Sequence, residues 1–383
     1  MKKICIVIGS RANYSSGKAI ARAIKSHPKL KLQLVVGASA VLDRYGAIDR
    51  LIENDGFCID AKFFMLIEGD SPVTMAKSTG LGLIELSSIF ANLKPDVIVT
   101  IGDRFETMST AIAASYMNIP LAHTMGGEVS GTIDESIRHA VTKLSHIHFA
   151  ASQSAAERIV RMGEKKTTVF NTGCPRIDLI DEVLSQRQPD DLSEIFKGGV
   201  GASFDIETRF LLVMQHPVTT EYEDAENQMH ETLCAVNDLD MPAIILWPNS
   251  DAGSDGISRA IRKFRETRDA RLFHFFKNLP VDEYIWLMKK TVCIVGNSSS
   301  GIRDAAFIGT PVVNIGTRQN GRDKGSNVLD VDNHSEAITI AIKEQIASGP
   351  YPSDPVYGNG ISGVQIADLL YRQEILVQKT LDY

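Results

Sequence analysis

What most restricts the fold of this chain is a recurring short run of apolar, mostly β-branched residues that lacks the polar alternation of a half-exposed strand. "KICIVIG", "LQLVVGA", "DVIVTIG", "PLAHT", "HIHFA" and "TTVFNTG" punctuate the first half. Continuous runs of this kind suit strands covered on both faces of a parallel sheet. Helical patterns lie between them, among them "SGKAIARAIKS", "TGLGLIELSSIFANLK", "ETMSTAIAASYMN" and "DESIRHAVTKL". This βαβ alternation predicts a doubly wound α/β layer. The stretch "LSQRQPDDLSEIFKGGVGASFDIETR" then breaks both periodicities with Pro, Gly and charge. The pattern restarts with "RFLLVMQH", "AIILWP", "RLFHFF", "TVCIVG" and "PVVNIG". The expected fold class is therefore α/β with two Rossmann-like halves. The first covers residues 1–172 and is joined by a closing helix over 364–383; the second covers residues 173–363.

A chain of 383 residues exceeds one ordinary core. With 44% apolar and 23% charged residues, it reads as soluble and globular. The net charge of −7 is spread without blocks, which argues against a nucleic-acid partner or an anionic membrane surface. Five scattered cysteines with no C-x-x-C pair suggest reduced thiols and a cytoplasmic setting. The opening "MKKICIVIGS" is too short for a signal-peptide core, and no stretch approaches the roughly 20 apolar residues of a membrane span.

Ligands of open α/β sheets sit beyond the carboxyl ends of the strands, so the residues just after each run carry the information. Two halves built this way are expected to face each other across a cleft. "GNSSSG" places Ser298, Ser299, Ser300 and Gly301 at the start of a helix whose free N–H groups can hold a phosphate. Asp304, one turn on, suits ribose hydroxyls. A serine-capped helix without a ligand accounts for the same serines, but Arg318 and Arg322 of "GTRQNGR" favour an anion. "GSRANYSSG" offers Arg11 and Ser15, either for a second anion or to bridge loops, and "PNSDAGS" offers Asn249, Asp251 and Gly253 on the substrate side. Neither G-x-G-x-x-G nor G-x-x-x-x-G-K-[ST] is present.

"GDRFE" puts Asp103, Arg104 and Glu106 at a strand end, where charge seldom serves as core filling, although a helix cap would account for Asp103. "GGEVSGTIDESIRHA" gathers Glu128, Asp134, Glu135 and Arg138 where a glycine turn becomes a helix. Thr132 to Glu135 matches a capping box, and Asp134 complements the helix dipole. Neither feature explains Glu128, nor Arg138 four residues after Asp134 on the same helical face. His216, closing the first strand of the second half, is suited to act as a general acid or to face a phosphate; a packed loop histidine is the alternative. His146 and His148 share a strand face, but with no third ligand nearby a structural role is expected and no metal is assigned.

With "GSRANYSS", "IGDRFET", "GGEVSGTIDESIRHAVTKLSHIHF", "QHPVTTE", "PNSDAGS" and "GNSSSGIRDAAFIGTPVVNIGTRQNGR" in this order, the chain resembles the hydrolysing UDP-N-acetylglucosamine 2-epimerases over nearly its whole length. The resemblance implies a GT-B fold and conversion of UDP-N-acetylglucosamine and water into N-acetylmannosamine and UDP, at the head of sialic-acid or related nonulosonate synthesis. It also implies a homodimer or homotetramer and no metal or redox cofactor. By the same resemblance Ser298 and Ser299 hold phosphate, Asp304 the ribose and Arg318 the uridine diphosphate region. Arg11, Ser15 and Arg104 approach from the first half, while Asp103, Glu128, Asp134, Glu135, Arg138 and His216 match sugar-side and catalytic positions. A UDP-2,4-diacetamido-trideoxyhexose substrate, or a non-catalytic UDP-sugar sensor, are the alternatives.

The chain departs from the family pattern in three places. Where the family often carries an acid and a lysine, this chain has Asn13 and Ser16, with Lys18 two residues later. Asp304 stands for the more usual glutamate, shortening that arm by roughly 1.5 Å.

Overall fold

The computed structural model describes residues 1–43, 47–69, 72–130, 133–189, 192–248, 253–267, 271–380 and 382. The chain begins with β1 (Lys2–Ile8), α1 (Arg11–Ser26), β2 (Leu30–Gly37), α2 (Asp49–Asn54), β3 (Ala61–Phe63), α3 (Pro72–Leu93) and β4 (Val97–Ile101). It continues through α4 (Phe105–Tyr116), β5 (Leu121–Thr124), α5 (Asp134–Leu144), β6 (Ile147–Ala150), α6 (Gln153–Arg161), β7 (Val169–Asn171) and α7 (Pro175–Ser185). These strands form a parallel sheet in the order β3-β2-β1-β4-β5-β6-β7. The apolar runs are buried on both faces as their composition predicts: Ile4, Cys5, Ile6 and Ile8 of β1 are fully covered. Burying an aliphatic side chain of this size contributes about 1.5–3 kcal/mol.

The second series comprises β8 (Val200–Gly201), β9 (Leu211–Met214), α8 (Ala225–Asn237), β10 (Ala243–Leu246), α9 (Ser254–Thr267), β11 (Phe273–Phe276) and α10 (Val281–Lys290). It ends with β12 (Cys293–Gly296), α11 (Ser299–Ile308), β13 (Val312–Ile315), β14 (Val328–Val331) and α12 (Ser335–Ser348), before α13 (Ser362–Arg372). Its sheet order is β14-β13-β12-β9-β10-β11-β8, parallel except for β8, which pairs antiparallel with β11. Leu211, Val213, Ile245, Phe273 and Val295 pack on one face with Met229 and Leu233 of α8, Ile261 of α9 and Ile338 of α12.

Compactness divides the chain into one unit of Met1–Glu128, Ile133–Asp181 and Tyr357–Tyr383, and another of Val129–Thr132 and Glu182–Val356. The chain returns to the first unit at Tyr357, whose carbonyl accepts the Cys174 amide at 2.7 Å. Asp178 of α7 receives the amides of Ser362 and Gly363 at 3.0 and 2.7 Å, so α7 and the start of α13 are held together beyond the sequence-based boundaries of 172 and 364. The closing helix expected over 364–383 ends at Arg372. Beyond it, Lys379 donates to the carbonyls of Lys143 and Ser145 at the end of α5, and the Val377 carbonyl lies 2.9 Å from His146 Nε2. These tertiary bonds outweigh local helix propensity. No helix among the described residues is long and apolar enough to cross a membrane.

Candidate active site

In both sheets, successive strands run outward in opposite directions from one internal junction: β1 beside β4 in the first unit, and β9 beside β12 in the second. A parallel sheet leaves a crevice beyond its strand ends at such a switch point. Most of the candidate residues follow these four strands.

At the first junction, Ser10 caps α1 by accepting the Asn13 amide. The Asn13 side chain accepts the Gly9 amide at 3.2 Å and donates to the Ile101 carbonyl at 3.1 Å, joining the ends of β1 and β4. A carboxylate could make only the first of these bonds, which gives a physical reason for an amide at this departure from the family pattern. Arg11 opens α1, where burial lowers its guanidinium pKa, and Ser15 donates back to the Arg11 carbonyl at 3.1 Å. Lys18 does not replace the missing lysine: it pairs with Asp55 at 2.8 Å.

After β4, Gly102 takes φ +80° and delivers Asp103 and Arg104. Arg138 is fully buried on α5. Its Nε donates to Asp103 Oδ2 at 2.9 Å, Nη2 donates to the same oxygen, and Nη1 donates to the Glu128 carbonyl at 2.8 Å. One guanidinium thus ties the Asp103 carboxylate to the backbone of Glu128. Such a pair holds buried charge without the large penalty an isolated ion would carry. Glu128 itself is 3% exposed. Gly127 precedes it at φ +75°, where a Cβ would lie 2.3 Å from the Ala155 carbonyl oxygen, so only glycine can make that turn. Asp134 and Glu135 occupy the first turn of α5, with Glu135 Oε1 3.4 Å from His139 Nε2. Thr132 of the expected capping box lies outside the described residues, and Ile133 occupies the cap position without a side-chain bond. Arg104 turns to Glu106, with Nε 3.0 Å from Oε1. Glu106, the third charge of "GDRFE" and one given no site role from the sequence, is 4% exposed and serves as the buried partner of Arg104.

At the second junction, Asn297 follows β12 and is 1% exposed. Its Oδ1 accepts the His216 amide at 2.8 Å and its Nδ2 donates to the His216 carbonyl at 2.9 Å, clasping a residue two positions beyond β9. The Asn297 carbonyl in turn accepts Arg318 Nη1 at 3.1 Å and Gln319 Nε2 at 2.8 Å. Ser298 then caps α11, with Ser299, Ser300 and Gly301 in its first turn and Asp304 buried one turn on. His216, Arg318 and the amide end of α11 are thereby assembled around Asn297, an arrangement suited to an anion. Gly253, at φ +94°, immediately precedes α9; Asn249 and Asp251 lie outside the described residues.

His146 and His148 serve the fold. His146 Nδ1 accepts the Leu121 amide, while His148 contacts buried Glu164 at 3.2 Å. Among the described residues, no three His, Cys, Asp or Glu side chains converge to hold a metal ion.

A family model described as UDP-N-acetylglucosamine 2-epimerase matches residues 22–371. The chain is 33% identical to the UDP-N,N'-diacetylbacillosamine 2-epimerase (hydrolyzing) of Legionella pneumophila, covering 97% of this chain and 96% of that protein. It is 29% identical to the UDP-N-acetylglucosamine 2-epimerase of Neisseria meningitidis serogroup B, covering 94% and 92% respectively. Among solved structures, UDP-GlcNAc 2-epimerase from Neisseria meningitidis bound to UDP-GlcNAc superposes with a TM-score of 0.80 at 16% identity, covering 97% of this chain and 100% of that one. The expected GT-B class, two Rossmann-like parallel-sheet units, agrees with this likeness. Taken with the length of the match, these results place the chain in the UDP-N-acetylglucosamine 2-epimerase family.

Proposed function

We propose that this protein is a hydrolysing 2-epimerase of a UDP-linked 2-acetamido sugar, converting UDP-N-acetylglucosamine and water into N-acetylmannosamine and UDP. The observation that carries this reading is the guanidinium of Arg138, which holds the Asp103 carboxylate and the Glu128 backbone carbonyl together beside the β1/β4 junction. In the first step a carboxylate removes the C2 proton as the C1–O bond breaks, the bonding pair leaving with UDP and a glycal remaining. Water then adds across C1=C2, placing hydroxyl on C1 and a proton on the opposite face of C2. No carbonyl activates that C2 proton, so the base acts as positive charge grows at C1, and a second acid stabilises that centre or directs water. Asp103, Glu128 and Asp134 are the leading acid–base candidates in this reading, with Glu135 and Arg138 supporting them. His216 protonates or hydrogen-bonds the departing phosphate. Arg11, Ser15, Arg104, Gly253, Ser298, Ser299, Ser300, Gly301, Asp304 and Arg318, with Asn249 and Asp251, bind the nucleotide sugar.

A second reading keeps the reaction and changes the sugar to a 2,4-diacetamido-2,4,6-trideoxyhexose, favoured by the 33% identity to a diacetylbacillosamine enzyme. Incubating the protein with each UDP-sugar in deuterium oxide and following products by proton NMR distinguishes the two. Free N-acetylmannosamine deuterated at C2, together with UDP, supports the first reading. Turnover of the diacetamido sugar alone supports the second, and turnover of neither refutes the activity. A homodimer or homotetramer remains part of the proposal. Val73, Leu81 and Ile84 on the exposed side of α3 support it, and sedimentation velocity tests it.

A further inference from the structure

His123, at the end of β5, is fully buried beneath the acid cluster. Its Nε2 lies 2.8 Å from the Gly102 carbonyl and its Nδ1 3.2 Å from Thr142 Oγ1. A carbonyl can only accept, so Nε2 carries the proton; in the neutral ring Nδ1 then accepts from the Thr142 hydroxyl. The ring is held neutral because burial lowers its pKa to about 4; the Gly102 bond opposes that shift, His148 adds to it, Asp103 opposes it and Arg138 adds to it. Gly126 is the space that permits the arrangement, since a Cβ there would lie 2.8 Å from both His123 Nδ1 and Thr142 Oγ1.

The two bonds reach the two segments that must meet for the acid cluster to form. Gly102 is the φ +80° turn that presents Asp103, and Thr142 stands one turn after Arg138 on α5. We propose that His123 is a positioning residue that fixes how Asp103 and Arg138 meet by tying the Gly102 turn to helix α5, an inference that rests on the hydrolysing-epimerase reading. Displacement of a reacting group by about 1 Å lowers turnover by about 10²-fold, whereas substrate held by other residues keeps its affinity.

The side-chain amide of His123→Gln reaches to the position of Nε2 and restores the donor to Gly102. The shorter amide of His123→Asn reaches only to the position of Nδ1 and leaves Gly102 unbonded. The test compares wild type, H123Q and H123N for kcat and KM with both UDP-sugars, for UDP affinity by calorimetry, and for amide hydrogen exchange over residues 100–106 and 134–144. H123N is expected to lose about 10²-fold in kcat, and H123Q less than about tenfold, with KM and UDP affinity within about twofold of wild type. Exchange in both segments should rise in H123N and fall back toward wild type in H123Q. A folded H123N with wild-type kcat, or equal losses in both variants with unchanged exchange, overturns the proposal. If wild type itself turns over neither sugar, the epimerase reading fails. The exchange pattern then still decides whether His123 ties the two segments: raised exchange in H123N alone upholds the tie, and flat exchange overturns it.

Discussion

At the β1/β4 junction a buried asparagine, Asn13, accepts one backbone amide and donates to one carbonyl; at the β9/β12 junction Asn297 makes the same pair of bonds to His216. A neutral amide provides both donor and acceptor whatever the pH, which suits a staple across diverging strands. Around that shared device the units differ. The first surrounds its staple with carboxylate–arginine pairs, Asp103 with Arg138 and Glu106 with Arg104. The second surrounds its staple with a helix amino end, serine hydroxyls and amide and guanidinium donors directed at a carbonyl. A group that exchanges protons must be able to reach its charged form, and burial makes that costly unless it has a partner. Groups that only hold an anion need no such exchange. In the proposed reaction, this difference fits acid–base work on the sugar at the first junction and retention of the nucleotide's anion at the second.

The severest challenge to that division is Arg138→Met, which removes the guanidinium and keeps the bulk. Turnover should fall about 10³-fold, and stability in denaturant titration should fall by about 3–5 kcal/mol as a buried pair is broken. Arg318→Met should instead act mainly through UDP affinity; if both variants lose kcat alike with affinity intact, the contrast between junctions is false. Next come the staples themselves. Asn297→Asp places an oxygen against the His216 carbonyl and should weaken UDP binding about tenfold in calorimetry. Asn13→Asp should cost similar stability and leave UDP affinity unchanged.

A smaller and pH-dependent effect belongs to Glu164. Burial pushes its pKa up, but hydrogen bonds from His148, Lys143 and Lys379 prevail and bring it down from 4.5 to about 2. A carboxylate depressed in the folded state adds stability that is complete above the unfolded value and is lost as pH falls through the folded one. Urea midpoints measured downward from pH 6 should therefore drop between about pH 4.5 and 2 in wild type, and that part of the slope should flatten in Glu164→Gln. Least of all, Lys263→Ala removes an exposed partner of Glu226 on the second unit. It should change stability by less than about 0.5 kcal/mol.

Much of this was legible in the sequence because its signal is local. Strands buried on both faces read as unbroken apolar runs, and the polar residues ending them mark the junctions. The strands that composition missed, β3, β8 and β14, are sheet edges. β8 is only two residues long and β14 only partly covered; an edge strand is packed on fewer sides and keeps less of the apolar signature. The staples were invisible for another reason: Asn13 bonds across 88 positions and Asn297 across 81, and spacing over such lengths says nothing about contact. Lys18 shows the converse: it is close in sequence to the missing charge, yet the fold pairs it with Asp55.

The return of the chain to its first unit has a consequence for synthesis. Helix α13 brings Ile366, Ala367 and Leu370 into that unit and sets Gly363 so close to Ala19 of α1 that a Cβ would lie 2.7 Å from its carbonyl carbon. The ribosome makes α1 early and α13 only after the entire stretch from Glu182 to Val356 has emerged. At ordinary elongation rates of about 5–20 residues per second, that delay is roughly 10–35 s. For that interval the nascent amino-terminal sheet, with Asp103, Glu128 and Arg138 already made, stands with one flank bare, so a slowed ribosome or a scarce chaperone would be felt first there.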